Sequence, residues 1–125
     1  MNISSQRISD VIVNFFIEKG INQCFCVTGG GAMFLNDGVA ANKKLNAVCC
    51  HHEQACSMAA VGYSKYKNGL SAVMLTTGCG STNAITGLLD AWQDNTPVIL
   101  RLREYMAAVS LEKYLAPKKP PIFTI

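Results

Sequence analysis

Four short apolar segments alternate with stretches of helical periodicity, and this alternation constrains the fold more than any other feature. The apolar segments cover residues 24–28, 46–50, 71–77 and 98–102. Strands that alternate with helices at such spacing are typical of a parallel sheet. They read as continuous apolar runs, which is expected when helices cover both faces of the sheet. The sequence therefore predicts an α/β fold with about four parallel strands and helices on both faces.

Helical segments are predicted before or between these strands. The first covers residues 5–19 and ends at Gly20. A short helix covers residues 32–41, and a third covers residues 53–67, where Asn68-Gly69 stops it. A fourth helix, capped by Ser81 or Thr82, is predicted to run to about residue 92. The apolar face of the first helix is assigned to Ile8, Val11, Ile12, Phe15 and Phe16.

Composition argues against a disordered, nucleic-acid-binding, membrane-spanning or secreted protein. The chain has 125 residues, of which 50% are apolar and 15% charged, so it resembles one globular domain and not a disordered segment. The net charge of +3 is spread over scattered lysines, so we expect no nucleic-acid partner. No apolar run approaches the roughly 18 residues of a membrane span, and no signal peptide is recognised. We therefore expect a cytoplasmic protein whose six cysteines are reduced thiols.

Glu53 lies where the second strand leads into the third helix, in the segment HHEQ at residues 51–54. Three interpretations are open at this stage. Glu53 could merely complement the helix dipole, or it could be a catalytic carboxylate at the edge of the sheet where ligands bind. The third interpretation is a metal site formed by the adjacent residues Cys49, Cys50, His51 and His52.

Two glycine turns follow strands, GGG at residues 29–31 and GCG at residues 78–80. Glycine allows a positive φ and a close approach of the backbone to a ligand. Neither turn has the spacing of a dinucleotide-binding loop or a P-loop. The turns are therefore consistent either with a ligand site or with tight connections between strands and helices.

Taken together, the motifs resemble a known family. The segment VTGGGA at residues 27–32 is similar to the first strand and loop of thiamine-diphosphate enzymes of the acetolactate synthase and pyruvate decarboxylase type. HEQA at 52–55 with AAVGYSK at 59–65 resembles that family's HEQxA…AAxGYAR, and LTTGCGSTNA at 75–84 resembles its VTSGPGxTNA. DAWQDNTP at 90–97 continues in register. The chain thus resembles the pyrimidine-binding domain of these enzymes over about residues 3–100.

The resemblance implies specific roles. Glu53 would be the catalytic carboxylate that contacts N1′ of the aminopyrimidine of thiamine diphosphate. The other residues implied to contact cofactor or to lie beside substrate are Gly30, Gly31, Thr76, Gly78 and Asn83. It also implies a 2-oxo acid substrate and a homo-oligomer. Burial would favour protonated Glu53, whereas the helix N-terminus would favour its ionised form.

Departures from the family pattern shape the remaining expectations. Cys79 replaces the usual proline of the GPG turn, and the resemblance ceases at about residue 102. The 125 residues contain no GDG…N motif, which in the family binds the diphosphate and Mg²⁺ in a separate domain. We therefore expect an incomplete pyrimidine-binding domain at residues 1–104 and a divergent tail at residues 105–125, in which residues 105–115 allow one more helix. Such a chain would need a diphosphate-binding domain or a second subunit, and would be inactive alone. The alternative is a truncated, non-catalytic or regulatory protein that keeps the fold.

Overall fold

The structure, a computed structural model, describes residues 7–101. The predicted tail, the possible helix at residues 105–115 and the last residue of the predicted fourth strand lie outside that range. A 3₁₀ turn at Gly30–Ala32 follows the first strand. The elements are, in order, α1 (Ile8–Glu18), β1 (Gln23–Cys26), α2 (Met33–Ala41), β2 (Asn46–Cys49), α3 (Glu53–Lys67), β3 (Ser71–Met74), α4 (Cys79–Thr82), α5 (Ile85–Gln93) and β4 (Val98–Arg101).

The four strands form one parallel sheet in the order β2-β1-β3-β4. The prediction of an α/β fold with four parallel strands is confirmed. The first three strands end earlier than predicted, at residues 26, 49 and 74. The apolar pattern continues beyond the strand pairing because Val27, Cys50 and Leu75 still pack against the core.

Helices cover both faces of the sheet, as predicted, because alternate strand residues point to opposite sides. One core lies between the sheet and the helices α3 and α5, and the other lies between the sheet and the helices α1 and α2. The strand residues in the first core are Phe25, Val73, Val98 and Leu100, and those in the second are Cys24, Cys26, Ala72, Met74 and Ile99.

β2 departs from the expected pattern of buried strands. It pairs with β1 on one side of the sheet, and Asn46, Ala47 and Cys49 are exposed. Its apolar sequence therefore reflects an edge strand with little helical cover and not a strand buried on both faces.

α1 forms within the predicted residues 5–19, of which residues 5 and 6 lie outside the described range. Its buried face agrees with the prediction only in part. Val13 and Phe16 are buried, whereas Ile8 is 79% exposed. Gly20 ends the helix as predicted: its φ is +78°, and its N–H donates to the Ile17 carbonyl at 2.9 Å. The following N–H, from Ile21, donates to the Phe16 carbonyl at 2.9 Å, which completes a Schellman motif.

The predicted fourth helix is interrupted. The short helix α4 begins at Cys79 with Gly78 as its N-cap, and a separate helix, α5, begins at Ile85. The prediction that Ser81 or Thr82 caps the helix is wrong, because both lie inside α4 and donate to carbonyls. Ser81 Oγ donates to the Thr76 carbonyl, and Thr82 Oγ1 donates to the Cys79 carbonyl. Along residues 7–101, no helix has both the length and the apolar character that crossing a bilayer requires.

Candidate functional site

The candidate site lies at the carboxyl ends of the central strands. The chain passes from β1 outward to β2 on one side, and later returns to place β3 on the other side of β1. The sheet therefore has a topological switch point between β1 and β3, where open parallel sheets bind ligands. The loops at residues 27–29 and 75–78 leave the sheet at this point, and the loop at residues 50–52 follows the neighbouring strand.

The first glycine turn packs directly against the loop after β3. A Cβ atom added to Gly29 would lie 2.6 Å from Cβ of Thr76, and one added to Gly31 would lie 2.7 Å from Cγ2 of Thr77. Neither glycine has a positive φ, so close approach and not backbone conformation excludes side chains here. The two loops thereby meet across the switch point.

The second glycine turn combines an unusual conformation with close packing. Gly78 has φ +71° and ψ −136°, a conformation that side chains disfavour. A Cβ atom added to Gly80 would lie 2.7 Å from Cγ2 of Thr76 and 3.0 Å from Oε1 of Glu53. The backbone of α4 thus lies directly against the candidate carboxylate.

Glu53 is the first residue of α3 and is partly buried. His52 precedes it as N-cap, and its Nδ1 accepts a hydrogen bond from the Gln54 N–H at 3.1 Å. The amide Nδ2 of Asn83 donates to Oε2 of Glu53 at 3.1 Å. A carboxylate and an amide that are 30 residues apart in the chain are therefore held together.

Local hydrogen bonding favours the ionised carboxylate. The hydrogen bond from Asn83 is the largest cause that lowers the pKa of Glu53, followed by a hydrogen bond from its own backbone N–H, with a smaller contribution from His52. Burial acts in the opposite direction and is outweighed. Of the two opposing effects expected from the sequence, the one that favours the ionised form therefore prevails over desolvation. Its largest cause is the Asn83 side chain, and the backbone N–H at the helix N-terminus comes second.

The comparison with known families agrees with this geometry. A family model described as "Thiamine pyrophosphate enzyme, N-terminal TPP binding domain" matches residues 6–101. This chain belongs to that family. The pyrimidine-binding domain that the sequence motifs suggest is thereby confirmed as an N-terminal domain of the thiamine pyrophosphate enzymes.

Individual relatives of this thiamine pyrophosphate enzyme domain are acetolactate synthases. The large subunit from Buchnera aphidicola subsp. Acyrthosiphon pisum is 32% identical over 92 residues, which are 74% of this chain and 16% of that protein. The large subunit of isozyme 2 from Escherichia coli is 35% identical over 88 residues, 70% of this chain and 16% of that protein. The large subunit from Mycobacterium tuberculosis is 33% identical over 91 residues, which are 73% of this chain and 15% of that protein. The match thus spans about a sixth of the length of these relatives.

The structure brings together most of the predicted site residues of the thiamine pyrophosphate enzyme domain. Glu53 and Asn83 are hydrogen bonded. Thr76 lies between the two glycine turns, and a Cβ added to Gly31 would be 3.2 Å from its Oγ1. Gly30 and Gly78 lie in the same turns, but a Cβ atom at either would meet no atom within 4 Å. At Gly78 the positive φ favours glycine, whereas at Gly30 the missing side chain leaves open space beside the turn.

Two further residues belong to this site but were not assigned to it from the sequence. Gly29 and Gly80 make the closest backbone approaches to Thr76. Their positions inside the two glycine turns were the available signal, but only the folded structure shows that both turns pack on one threonine. For the metal interpretation, residues 7–101 contain no group of three or more His, Cys, Asp or Glu side chains placed to bind an ion.

Proposed function

We propose that this chain forms the aminopyrimidine half of a thiamine-diphosphate site in an acetolactate synthase-like enzyme that converts a 2-oxo acid. The observation that carries the proposal is the hydrogen bond from Asn83 to Glu53 beside Gly80 at the carboxyl edge of the sheet. Membership of the thiamine pyrophosphate enzyme family and the similarity to acetolactate synthases support the same conclusion.

The residues present fit an aminopyrimidine ring. A partly buried carboxylate whose pKa is lowered can accept a hydrogen bond from a protonated ring nitrogen. Gly80 presents backbone without a side chain next to that carboxylate, and Gly30 leaves space beside the neighbouring turn. Flat rings can approach glycine backbone closely, so the turns suit a heterocycle.

Bound thiamine diphosphate supplies a nucleophilic thiazolium carbon and an electron sink for decarboxylation of a 2-oxo acid. Within this chain, Glu53 holds the proton at N1′ of the aminopyrimidine, and Asn83 orients the carboxylate. Gly30, Gly31, Thr76 and Gly78 shape the space around the ring and substrate. Each of these assignments is part of the proposal.

The diphosphate end of the cofactor requires a second contributor. Mg²⁺ in phosphate sites is typically held by one or two carboxylates together with the phosphate oxygens. We assign this task to a diphosphate-binding domain or to a second subunit, and we propose that the active assembly is a homo-oligomer. The non-catalytic alternative predicts the same fold without cofactor activation.

The test is Glu53→Gln in the chain assembled with a diphosphate-binding partner domain. Glutamine can still hydrogen bond to N1′ but cannot exchange a proton with it. Because general acid–base groups contribute about 10²–10⁴-fold, exchange of the cofactor C2 hydrogen for deuterium should slow at least about a hundredfold. NMR of the bound cofactor measures this exchange.

Glu18→Gln is the matched control, because Glu18 is an exposed glutamate at the end of α1. It should leave the exchange rate unchanged. Cofactor that is bound to the Glu53→Gln assembly and exchanges at the wild-type rate would exclude the assigned role. Failure of every wild-type assembly to bind thiamine diphosphate with Mg²⁺ in calorimetry would favour the non-catalytic alternative.

A further inference from the structure

Cys26 and Cys49, the last residues of β1 and β2, are neighbours on adjacent strands of the sheet. They are direct partners in the parallel register, so both side chains point to the same face. Their sulfur atoms are 3.8 Å apart, and both are free thiols. No part of the proposed cofactor chemistry uses this pair.

We propose that Cys26 and Cys49 are an oxidative modification site, at which a hydroperoxide converts the two thiols into a reversible disulfide. The backbone already has suitable geometry. Neighbouring strands lie about 4.8 Å apart, and disulfides join Cα atoms that are roughly 4.4–6.8 Å apart. The sulfurs must approach from 3.8 Å to about 2.05 Å. Because the strand spacing is within the range that disulfides span, we expect side-chain rotation to bring them together.

The two cysteines differ in access, and this difference sets the order of reaction. Cys49 is exposed at the edge strand, whereas Cys26 is 5% exposed within the core. Burial, followed by the neighbouring Cys49, raises the pKa of Cys26 to about 12. Cys49 is therefore the sulfur that meets the oxidant, and Cys26 is the resolving thiol beneath it.

The reaction balances with the peroxide as sole oxidant. The Cys49 thiolate attacks one peroxide oxygen, and an S–O bond forms as the O–O bond breaks. The leaving oxygen takes the proton that the Cys49 thiol released and departs as an alcohol, or as water in the case of hydrogen peroxide. Cys49 becomes a sulfenic acid. The Cys26 sulfur then attacks the Cys49 sulfur, the S–O bond breaks, and hydroxide takes the Cys26 thiol proton and leaves as water. Two electrons pass from the sulfurs to the peroxide, and a dithiol reductant reverses the bond by exchange.

None of the other cysteines combines an exposed thiol with a second thiol at the paired position of the adjacent strand. Cys24 points to the same face as Cys26 but is fully buried and pairs in register with Ala47. Cys50 is only partly exposed, and its thiol donates to the Val48 carbonyl. It packs against the core on the opposite face, which contains the fully buried Cys56. Cys79 is exposed but lies in the turn after β3.

The test exposes the purified full chain to hydrogen peroxide, blocks the remaining thiols by alkylation and maps tryptic peptides without reduction. Cleavage after Lys19, Lys43, Lys44 and Lys65 separates Cys26 from Cys49, so their disulfide joins the peptides 20–43 and 45–65. A Cys50–Cys56 bond would instead lie within one peptide. We expect the joined peptides in the wild type, their loss on treatment with dithiothreitol, and two fewer alkylated cysteines.

Cys49→Ser is the decisive variant, because it removes an exposed sulfur and leaves the core unchanged. It should abolish the joined peptides, as should Cys26→Ala. Cys50→Ser, at the adjacent position, should retain them and serves as the matched control. The proposal is overturned if peroxide leaves the wild type uncrosslinked, or if the joined peptides persist in Cys49→Ser. Neither result bears on cofactor binding, so this test is independent of the proposed function.

Discussion

The hydrogen bond between Asn83 and Glu53 is the largest cause of the lowered pKa of the candidate catalytic group. Because the bond lowers the pKa of Glu53, we expect Asn83→Ala to raise it. NMR of ¹³C-labelled glutamate carboxyls can follow the titration. Asn46→Ala is the control, since Asn46 lies on the exposed strand β2 and donates to Gln23 of β1. An unchanged Glu53 titration in Asn83→Ala would show that the amide is not the main cause.

The same bond gives a pH dependence of stability with a definite sign. The folded-state pKa of Glu53 is below its unfolded value, so ionised Glu53 stabilises the fold above the unfolded pKa. This contribution is lost as the pH falls through the folded-state pKa. The stability difference between wild type and Asn83→Ala should therefore be present at neutral pH and shrink in acid, as urea unfolding at a series of pH values would measure.

Gly80 tests the close contact between α4 and the carboxylate. In Gly80→Ala the new Cβ would lie 2.7 Å from Thr76 Cγ2 and 3.0 Å from Glu53 Oε1, so these groups must move. Overpacking of this kind typically costs about 1–3 kcal/mol. Gly30→Ala is the matched control, because its Cβ would meet no atom within 4 Å. Urea unfolding should show a loss of stability for Gly80→Ala and little change for Gly30→Ala.

At the scale of single residues, sequence motifs singled out the residues of the candidate site but did not predict the contacts between them. The HEQA motif singled out Glu53, and the ten-residue motif after β3 singled out Thr76 and Asn83. The direction of the Glu53 pKa could not be predicted, because it depends on a hydrogen bond between residues 30 positions apart competing with burial. Contacts of that range become visible only in three dimensions.

At the scale of elements, α3 and α5 are held together by close backbone approach. A Cβ added to Gly87 would lie 2.6 Å from Cβ and 2.7 Å from the carbonyl carbon of Ser57. Lys65 of α3 also pairs with Asp90 of α5 at 3.5 Å and with Asp94, just after α5, at 2.6 Å, but solvent-exposed ion pairs contribute little. Packing at Gly87 therefore determines the spacing of the two helices.

We expect Gly87→Ala to force α5 away from α3 and to destabilise the domain by about 1–3 kcal/mol. Gly62→Ala in α3 is the matched control. Its Cβ would meet no atom within 4 Å, and replacing glycine by alanine inside a helix typically stabilises by about 0.5–1 kcal/mol. Opposite shifts of the two urea midpoints are the expected result. Equal shifts would contradict the role assigned to Gly87.

Helix ends that are marked by capping residues in the sequence were predicted well. Buried faces that depend on packing between helices were not. α3 begins and ends as predicted because an N-cap residue precedes it and Asn68 adopts a left-handed conformation after it. The buried face of α1 was predicted only in part: Phe16 is buried as expected, but Phe15 is exposed, and Val13, which was not assigned to that face, is buried. α1 instead turns Ser9 toward α2, where a Cβ at Gly38 would lie 3.1 Å from that of Ser9. Small residues on both helices allow this approach, and apolar periodicity does not reveal it.

At the scale of the whole molecule, we propose that the candidate carboxylate is one side of a site that a diphosphate-binding domain or a second subunit completes. The sequence contains no GDG…N motif for the diphosphate and Mg²⁺. We therefore expect the purified 125-residue chain to release no carbon dioxide from pyruvate with thiamine diphosphate and Mg²⁺. Exposed apolar side chains such as Phe34, Met58 and Leu89 should also promote self-association, which light scattering measures. Cofactor-dependent carbon dioxide release above background would refute the need for a partner.

The parallel sheet also has a consequence for the time at which the site forms. In the sheet of residues 7–101 every strand pairing is parallel, so each one closes a long loop, and the pairing of Cys24 with Ala72 closes the longest. Long-range pairing is entropically costly and folds slowly. Gly29 and Thr76 meet just beyond that central pairing. A newly synthesised chain can thus form its helices early, but the candidate site forms only after β1 and β3 have paired.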